Sequence, residues 1–272
     1  MRGYATLAGL LLGLASVTAQ AQTIVPGDPH AGDPVGIVSD PCVTHPAPDA
    51  KVSYQMFNLH MLTRDFGQLC RYAADNRALA AQKVRVVFMG DSITDNWIHA
   101  DANLFSNGVV DRGISGQTTP QMLVRFRADV IALKPQAVHI MAGTNDIAGN
   151  TGPMSPDQTK ANIRTMTELA RAHGIRVILA SIPPADGFPW RPGLATADPI
   201  IAMNAWLKAY AAANNATYAD YWTALHDGKA MRAELASDGV HPNAKGYAVM
   251  APVADKAIRA SLATPAPKAI AR

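Results

Sequence analysis

Four short blocks hold residues able to do chemistry. They are Gly90-Asp91-Ser92-Ile93, Gly113-Ile114-Ser115-Gly116-Gln117-Thr118-Thr119, Gly143-Thr144-Asn145-Asp146 and Asp238-Gly239-Val240-His241-Pro242-Asn243. A serine hydroxyl is a weak nucleophile until a base takes its proton. His241 suits that task, because imidazole accepts and returns a proton near neutral pH. Asp238, three residues earlier, can reach the imidazole within one tight turn and hold its tautomer. A tetrahedral oxyanion needs preorganised donors. The backbone N–H groups of Ser92 and Gly116 and the side-chain amide of Asn145 are suitable. Together these are the parts of an acyl-transfer site. Each block alone is weak: G-D-S is usually a turn, D-x-x-H is usually surface, and G-T-N-D is ordinarily an Asx turn.

What gives the set weight is where the elements put it. Short apolar runs rich in β-branched residues occur at Val84–Met89, Val109–Val110, Ala137–Ala142 and Arg176–Ala180, with a weaker one at Thr217–Ala219. Helical stretches separate them. Thr119-Pro120 opens a helix that stops before Pro135. Ser155-Pro156-Asp157-Gln158 is a capping box with proline at the first helical position. Its helix places Ile163, Met166, Leu169 and Ala170 on one face and stops at Gly174. Pro199–Ala213 and Ala244–Ala263 supply two more. Strands alternating with helices of this length predict βαβ units and a parallel sheet covered on both faces. Ligands of such sheets bind beyond the carboxyl ends of the strands. Three of the blocks follow predicted strands, and the fourth precedes the last helix.

The four blocks, in this order, resemble the SGNH hydrolases, also called GDSL-type esterases and lipases. The resemblance runs from about Val84 to Ala260. It implies a flavodoxin-like α/β/α sandwich of three layers around a five-stranded parallel sheet. It implies Ser92 as nucleophile, Asp238 and His241 as its triad partners, and Ser92, Gly116 and Asn145 as the oxyanion hole. It implies no metal and no organic cofactor. Ile93 stands where leucine is common, Asp111 where many relatives have Asn, and Gln117 where many have Asp. The last two bear on loop hydrogen bonding and hence on substrate preference. Asp91 and Asp146 read as loop-ordering carboxylates that cap backbone N–H groups. Ser115 does not fit the G-x-S-x-G elbow and reads as a loop residue.

The ends of the chain read differently. Met1–Gln22 has Arg2, then an apolar run over Leu7–Val17, then Ala19-Gln20-Ala21. This is the pattern of a secretory signal peptide cleaved after Ala21, so a secreted or periplasmic protein is expected. No other stretch is apolar enough to span a bilayer, and no stable membrane insertion is expected. In an oxidising compartment Cys42 and Cys70 favour one disulfide, the alternative being two unpaired thiols. Residues 22–83 are expected to form an N-terminal extension, with helices in 51–80 packing on a catalytic domain of 84–263. Residues 264–272 read as a frayed tail. His30 and His45 lie among aspartates but match no metal-ligand spacing.

Composition excludes some classes. At 49% hydrophobic and net charge +3 the chain is not disordered. With 24 Lys+Arg against 21 Asp+Glu and no basic run beyond a pair, a nucleic-acid partner is not expected. The expected partner is a small-molecule or carbohydrate ester. Phe188 and Trp190, in the long Pro-rich stretch 183–199, and Trp97, five residues past Ser92, are candidate substrate-binding aromatics. Trp206 and Trp222 read as core. The leading expectation is a secreted esterase releasing small acyl groups, acetyl foremost, from carbohydrate. A lysophospholipase, thioesterase or arylesterase, a glycan O-acyltransferase, and a sugar-binding module with a dead site are the other readings. The intact set Ser92, Asp238 and His241 speaks against the last.

Overall fold

The computed structural model describes residues 36–39, 41, 42, 59 and 61–270. The expected signal peptide and cleavage site, His30 and His45 lie outside the described residues.

Five strands form one parallel sheet: β1 (Val86–Gly90), β2 (Val109–Gly113), β3 (Ala137–Met141), β4 (Arg176–Ala180) and β5 (Thr217–Ala219). Their spatial order is β2-β1-β3-β4-β5, and all neighbours pair parallel. Side chains alternate between the two faces, and both faces are apolar. Val87, Met89, Val138, Ile140, Val177 and Leu179 face one core. Val86, Phe88, Ala137, Met141, Ile178 and Ala180 face the other. Burial on both sides is why these strands read as unbroken apolar runs.

The helices divide between those faces. After α1 (Ala73–Leu79) come the short turns α2 (Ser92–Asp95) and α3 (Trp97–Ala100), then α4 (Thr119–Asp129), the short α5 (Thr144–Ile147) and α6 (Pro156–Ala172). They are followed by α7 (Ala197–Ala213), α8 (Tyr221–Leu225) and α9 (Ala244–Ala263). Met122 and Phe126 of α4, Ile163 and Met166 of α6, and Ile200 and Met203 of α7 cover the first face. Ile93 of α2, Trp97 of α3, Tyr221 of α8, and Met250 and Ala254 of α9 cover the second. This is the expected three-layer α/β/α sandwich. The capping box of α6 is present: Ser155 Oγ accepts from Gln158 N at 3.2 Å, and Ser155 N donates to Gln158 Oε1 at 2.7 Å. A hairpin of two-residue strands, β6 (His226–Asp227) and β7 (Ala230–Met231), lies outside the main sheet.

Cys42 and Cys70 are disulfide-bonded, as expected in an oxidising compartment. The segment after Cys70 docks on the catalytic core, where Tyr72 OH donates to Gly113 O. Residues 264–270 are not frayed. Arg176 Nε donates to Thr264 O at 2.8 Å, and Ile270 N donates to Ala172 O at 2.9 Å. Trp206 and Trp222 are half-buried at the edge of the core rather than inside it. No helix among the described residues is long and apolar enough to cross a membrane.

Candidate active site

In this strand order the winding of the sheet reverses between β1 and β3, and the crevice at their carboxyl ends is where ligands of such sheets bind. Ser92 leaves β1 and Asn145 leaves β3, so both flank that crevice. Gly90 makes the exit from β1 possible. A Cβ there would sit 2.0 Å from Thr94 Oγ1, so only glycine lets α2 fold back so tightly. Asp91 caps α2, its Oδ1 accepting from Ile93 N at 3.0 Å.

His241 arrives from the far end of the chain. The loop before α9 is closed by Ser237 N donating to His241 O at 3.2 Å. Gly239 turns it at φ +79. Asn243 caps α9, accepting from Lys245 N at 2.9 Å and Gly246 N at 3.2 Å. Tyr247, buried on α9, donates its OH to Ile93 O at 2.9 Å and ties this helix to the one carrying Ser92. The outcome is a linear chain of hydrogen bonds. Ser92 Oγ lies 2.9 Å from His241 Nε2, and His241 Nδ1 lies 2.7 Å from Asp238 Oδ2. The second oxygen of Asp238 accepts from Val240 N at 3.0 Å and His241 N at 2.8 Å. Partial burial pushes the Asp238 carboxyl up. The N–H bonds from His241 and Val240 outweigh it and hold the group below the usual carboxylate range.

Gly116 and Asn145 come to the same place. Gly116 has φ +80, a left-handed conformation that favours glycine. Asn145 is buried, and its Nδ2 donates to Gln117 O at 3.1 Å, with Asp91 Oδ2 at 3.4 Å. Asp146 orders its surroundings: it accepts from Thr119 N at 3.0 Å, from Thr119 Oγ1, and from Thr159 Oγ1 at 3.1 Å. Asp91 is likewise a buried loop-ordering group, and burial pushes its carboxyl up to about 6. Ser115 is a loop residue whose Oγ donates to Asp95 Oδ2 at 2.7 Å.

Two substrate-binding expectations are corrected. Trp97 is 0% exposed and packs edge-on to Phe88 and stacked on Tyr247. The α3 turn directs it into the core, away from the crevice. Phe188 is 2% exposed and stacks on Trp190 at 5.0 Å between ring centroids. It backs the wall instead of forming it. Trp190 is half-buried, with its ring centroid 5.9 Å from that of His241. Beside it open two clefts. One, of about 790 Å³, reaches from Asp146 to Leu194, and the other, of about 550 Å³, runs from Asp186 to Asp238.

Sequence reading missed two supporting residues, Arg125 and Asn150. Arg125 of α4 is fully buried beneath the site. It donates to Gly90 O at 3.0 Å, Arg112 O at 2.8 Å, Gln117 Oε1 at 2.6 Å and Asp129 Oδ2 at 3.0 Å. Gln117 in turn donates to Gly67 O and Gln68 Oε1, both at 3.1 Å, and so joins the disulfide-bonded segment to the glycine loop. Asn150 donates to Asn145 Oδ1 at 2.7 Å. The polar stripe Gln121, Arg125, Asp129 at helical spacing was a readable signal for the first of these. Nothing in the local sequence marks Asn150. Among the described residues no group of three or more His, Cys, Asp or Glu side chains is arranged to hold a metal ion.

Comparison with known proteins agrees with this geometry. A GDSL-like lipase of Bacteroides thetaiotaomicron is 45% identical, with a TM-score of 0.69 over 72% of this chain and 99% of that one. The acetylxylan esterase Axe2 of Geobacillus stearothermophilus, 24% identical with a TM-score of 0.53 over 64% of this chain and 94% of that one, shares the fold. The uncharacterized lipoprotein YqeF of Bacillus subtilis is 34% identical over 117 residues, which is 36% of this chain. The match spans 48% of YqeF, about half of its length. The model of the GDSL-like lipase/acylhydrolase family matches residues 88–249. That is more than half of the chain and includes every residue of the hydrogen-bonded set. The chain therefore belongs to the GDSL-like lipase/acylhydrolase family, the SGNH hydrolases, and is a carboxylic ester hydrolase.

Proposed function

We propose that this protein removes small acyl groups, acetyl foremost, from carbohydrate through an acyl-enzyme on Ser92. The observation that carries the reading is the unbroken chain Asp238–His241–Ser92, with its 2.7 and 2.9 Å bonds. In this reading His241 Nε2 takes the Ser92 proton as Oγ attacks the ester carbonyl. The carbonyl oxygen becomes an oxyanion held by Ser92 N–H, Gly116 N–H and Asn145 Nδ2. The intermediate collapses, and His241 returns the proton to the departing alcohol. Water then enters, gives a proton to His241 and attacks the acyl-enzyme. Collapse of the second intermediate frees the acid, and Ser92 takes its proton back.

Two features support a short acyl group on a sugar. The buried side chains that meet at the candidate oxyanion hole, Asp91, Gln117 and Asn145, are polar, surroundings suited to a short acyl group. Trp190 presents an aromatic wall within reach of His241, where a sugar ring can lie against it. The unit that carries the reaction in this reading is residues 84–263, preceded by an extension, 22–83, that holds the Cys42–Cys70 disulfide. A disulfide fits an extracytoplasmic location. The name lipoprotein, given to the relative from Bacillus subtilis, fits it too.

The test is turnover of p-nitrophenyl acetate, butyrate and octanoate, followed by acetate release from acetylated xylan fragments. Acetate should lead octanoate by about 10-fold or more in kcat/KM, the scale on which a pocket discriminates between apolar groups. A preference for octanoate overturns the short-acyl reading. Acetyl transfer to an added sugar in place of hydrolysis would make the protein an O-acyltransferase.

A further inference from the structure

Asn150 sits outside the sequence blocks, yet three groups of the site converge on its side chain. Its Oδ1 lies 3.3 Å from Trp190 Nε1. Its Nδ2 lies 2.7 Å from Asn145 Oδ1 and 3.2 Å from Gly116 O. Its backbone N–H donates to Asn145 O at 3.1 Å.

The direction of these bonds can be derived. An indole N–H only donates, so the atom of Asn150 facing Trp190 must be the carbonyl oxygen. The amide nitrogen of Asn150 then faces Asn145 and Gly116. Gly116 presents a carbonyl oxygen, which requires that same orientation. Asn145 must therefore turn its Oδ1 toward Asn150 and its Nδ2 toward Gln117 O, 3.1 Å away. The reverse orientation of Asn145 would set donor against donor at one end and acceptor against acceptor at the other. Each misfit of that kind leaves a donor or an acceptor without a partner, which is costly when buried. One N–H of Asn145 is taken by Gln117 O, and the other makes only the long 3.4 Å contact with Asp91 Oδ2, from which it can turn to an oxyanion.

We propose that Asn150 is a positioning residue for the oxyanion hole, holding Asn145 and Gly116 in register from one side-chain amide, and that the Trp190 indole sets its orientation. This rests on the esterase reading above and adds to it a residue outside the triad and the hole. Trp190 thereby has two tasks, a wall toward the substrate and a donor toward the catalytic loop.

The experiment compares wild type, Ser92→Ala, Asn150→Ala, Asn150→Asp and Trp190→Phe on p-nitrophenyl acetate. The readouts are kcat, KM, the affinity of a small alkylboronic acid that forms a tetrahedral serine adduct, and Tm. Asn150→Asp is nearly isosteric, and it replaces the donor toward Asn145 Oδ1 with an acceptor. Both Asn150 variants should lower kcat by about 10- to 100-fold, the scale of a misplaced catalytic group. KM should stay within about 3-fold, and boronic acid affinity should fall by the same factor as kcat. Trp190→Phe keeps an aromatic ring, though a smaller one, and loses the N–H, so it should lower kcat by a smaller factor, about 3- to 10-fold. A folded Asn150→Asp protein with kcat within about two-fold of wild type, or with KM alone changed, overturns the proposal. Activity that survives Ser92→Ala would sink the esterase reading instead, so the two failures are distinguishable.

Discussion

Asp238 holds His241 at two points: its Oδ2 lies 2.7 Å from the imidazole Nδ1, and its Oδ1 accepts the His241 backbone N–H at 2.8 Å. The first contact sets the ring tautomer, and the second sets the turn that presents the ring. They can be separated by Asp238→Asn. The Asn oxygen can still accept the backbone bonds, but its amide nitrogen facing Nδ1 drives the proton to Nε2. The imidazole would then offer Ser92 a donor instead of a base. We expect kcat to fall on the order of 10³- to 10⁴-fold with Tm little changed. A variant within ten-fold of wild type would remove Asp238 from this role.

Asp111 gives a pH-dependent stability prediction. Burial, the largest influence, pushes its carboxyl up to about 7, against the N–H bond from Gly113 and the charges of Arg112 and Arg125. With a folded value above its ordinary 3.8, the native state binds more protons than the unfolded one between those limits. This group therefore lowers stability as pH rises from about 4 to about 7. Asp111→Asn keeps the acceptor for Gly113 N–H and removes the titration. The variant should gain on wild type by an amount that grows across that range, reaching on the order of 2–4 kcal/mol. Denaturant melts at several pH values check this, and parallel curves for the two proteins would refute it.

Trp97 and Trp190 should separate stability from catalysis. Trp97→Ala empties a fully buried site and should destabilise the protein by about 3–5 kcal/mol. KM of the remaining folded enzyme should not move. Trp190→Ala removes a half-buried wall and should change KM and kcat with a smaller loss of Tm. Thermal melts beside steady-state kinetics decide it. The reverse pattern would return Trp97 to the list of substrate contacts.

The Cys42–Cys70 disulfide closes a separation of 28 residues, and its removal should cost about 3 kcal/mol. The same segment supplies Gly67 O and Gln68 Oε1 to the Gln117 amide beside Gly116. Cys42→Ser/Cys70→Ser should therefore melt earlier than wild type, and dithiothreitol should bring wild type to the same Tm. Melts that ignore the reductant would show that the bridge does not support the fold.

Much of this site was legible because its chemistry lies in local motifs at strand ends. A parallel strand buried on both faces is an apolar run, and the residue after it is where the chain must turn. Ser92 and Asn145 were therefore placed by pattern alone. Pairing of β1 begins at Val86 rather than Val84, because the partner strand β2 starts only at Val109. That limit lies in a neighbouring strand and cannot be read locally. Arg125 was missed for a related reason. Polarity puts it on the outside of α4, whereas four acceptors from distant loops satisfy its guanidinium inside.

The amino-acid sequence by itself determined the layered α/β class, the order of the four blocks and the candidates for nucleophile, base and acid. Those follow from residue type and from spacing within a few turns of chain. Only the tertiary structure decided which tryptophan faces the crevice. Trp97 and Trp190 are alike as sequence, each in a segment that follows a strand of the same sheet. Trp97 is drawn inward by Phe88 and by Tyr247, the latter 150 positions away, and Trp190 is held outward by Phe188 and Asn150. Burial is a property of the partners a side chain meets, and those partners come together only when the sheet and its helices close.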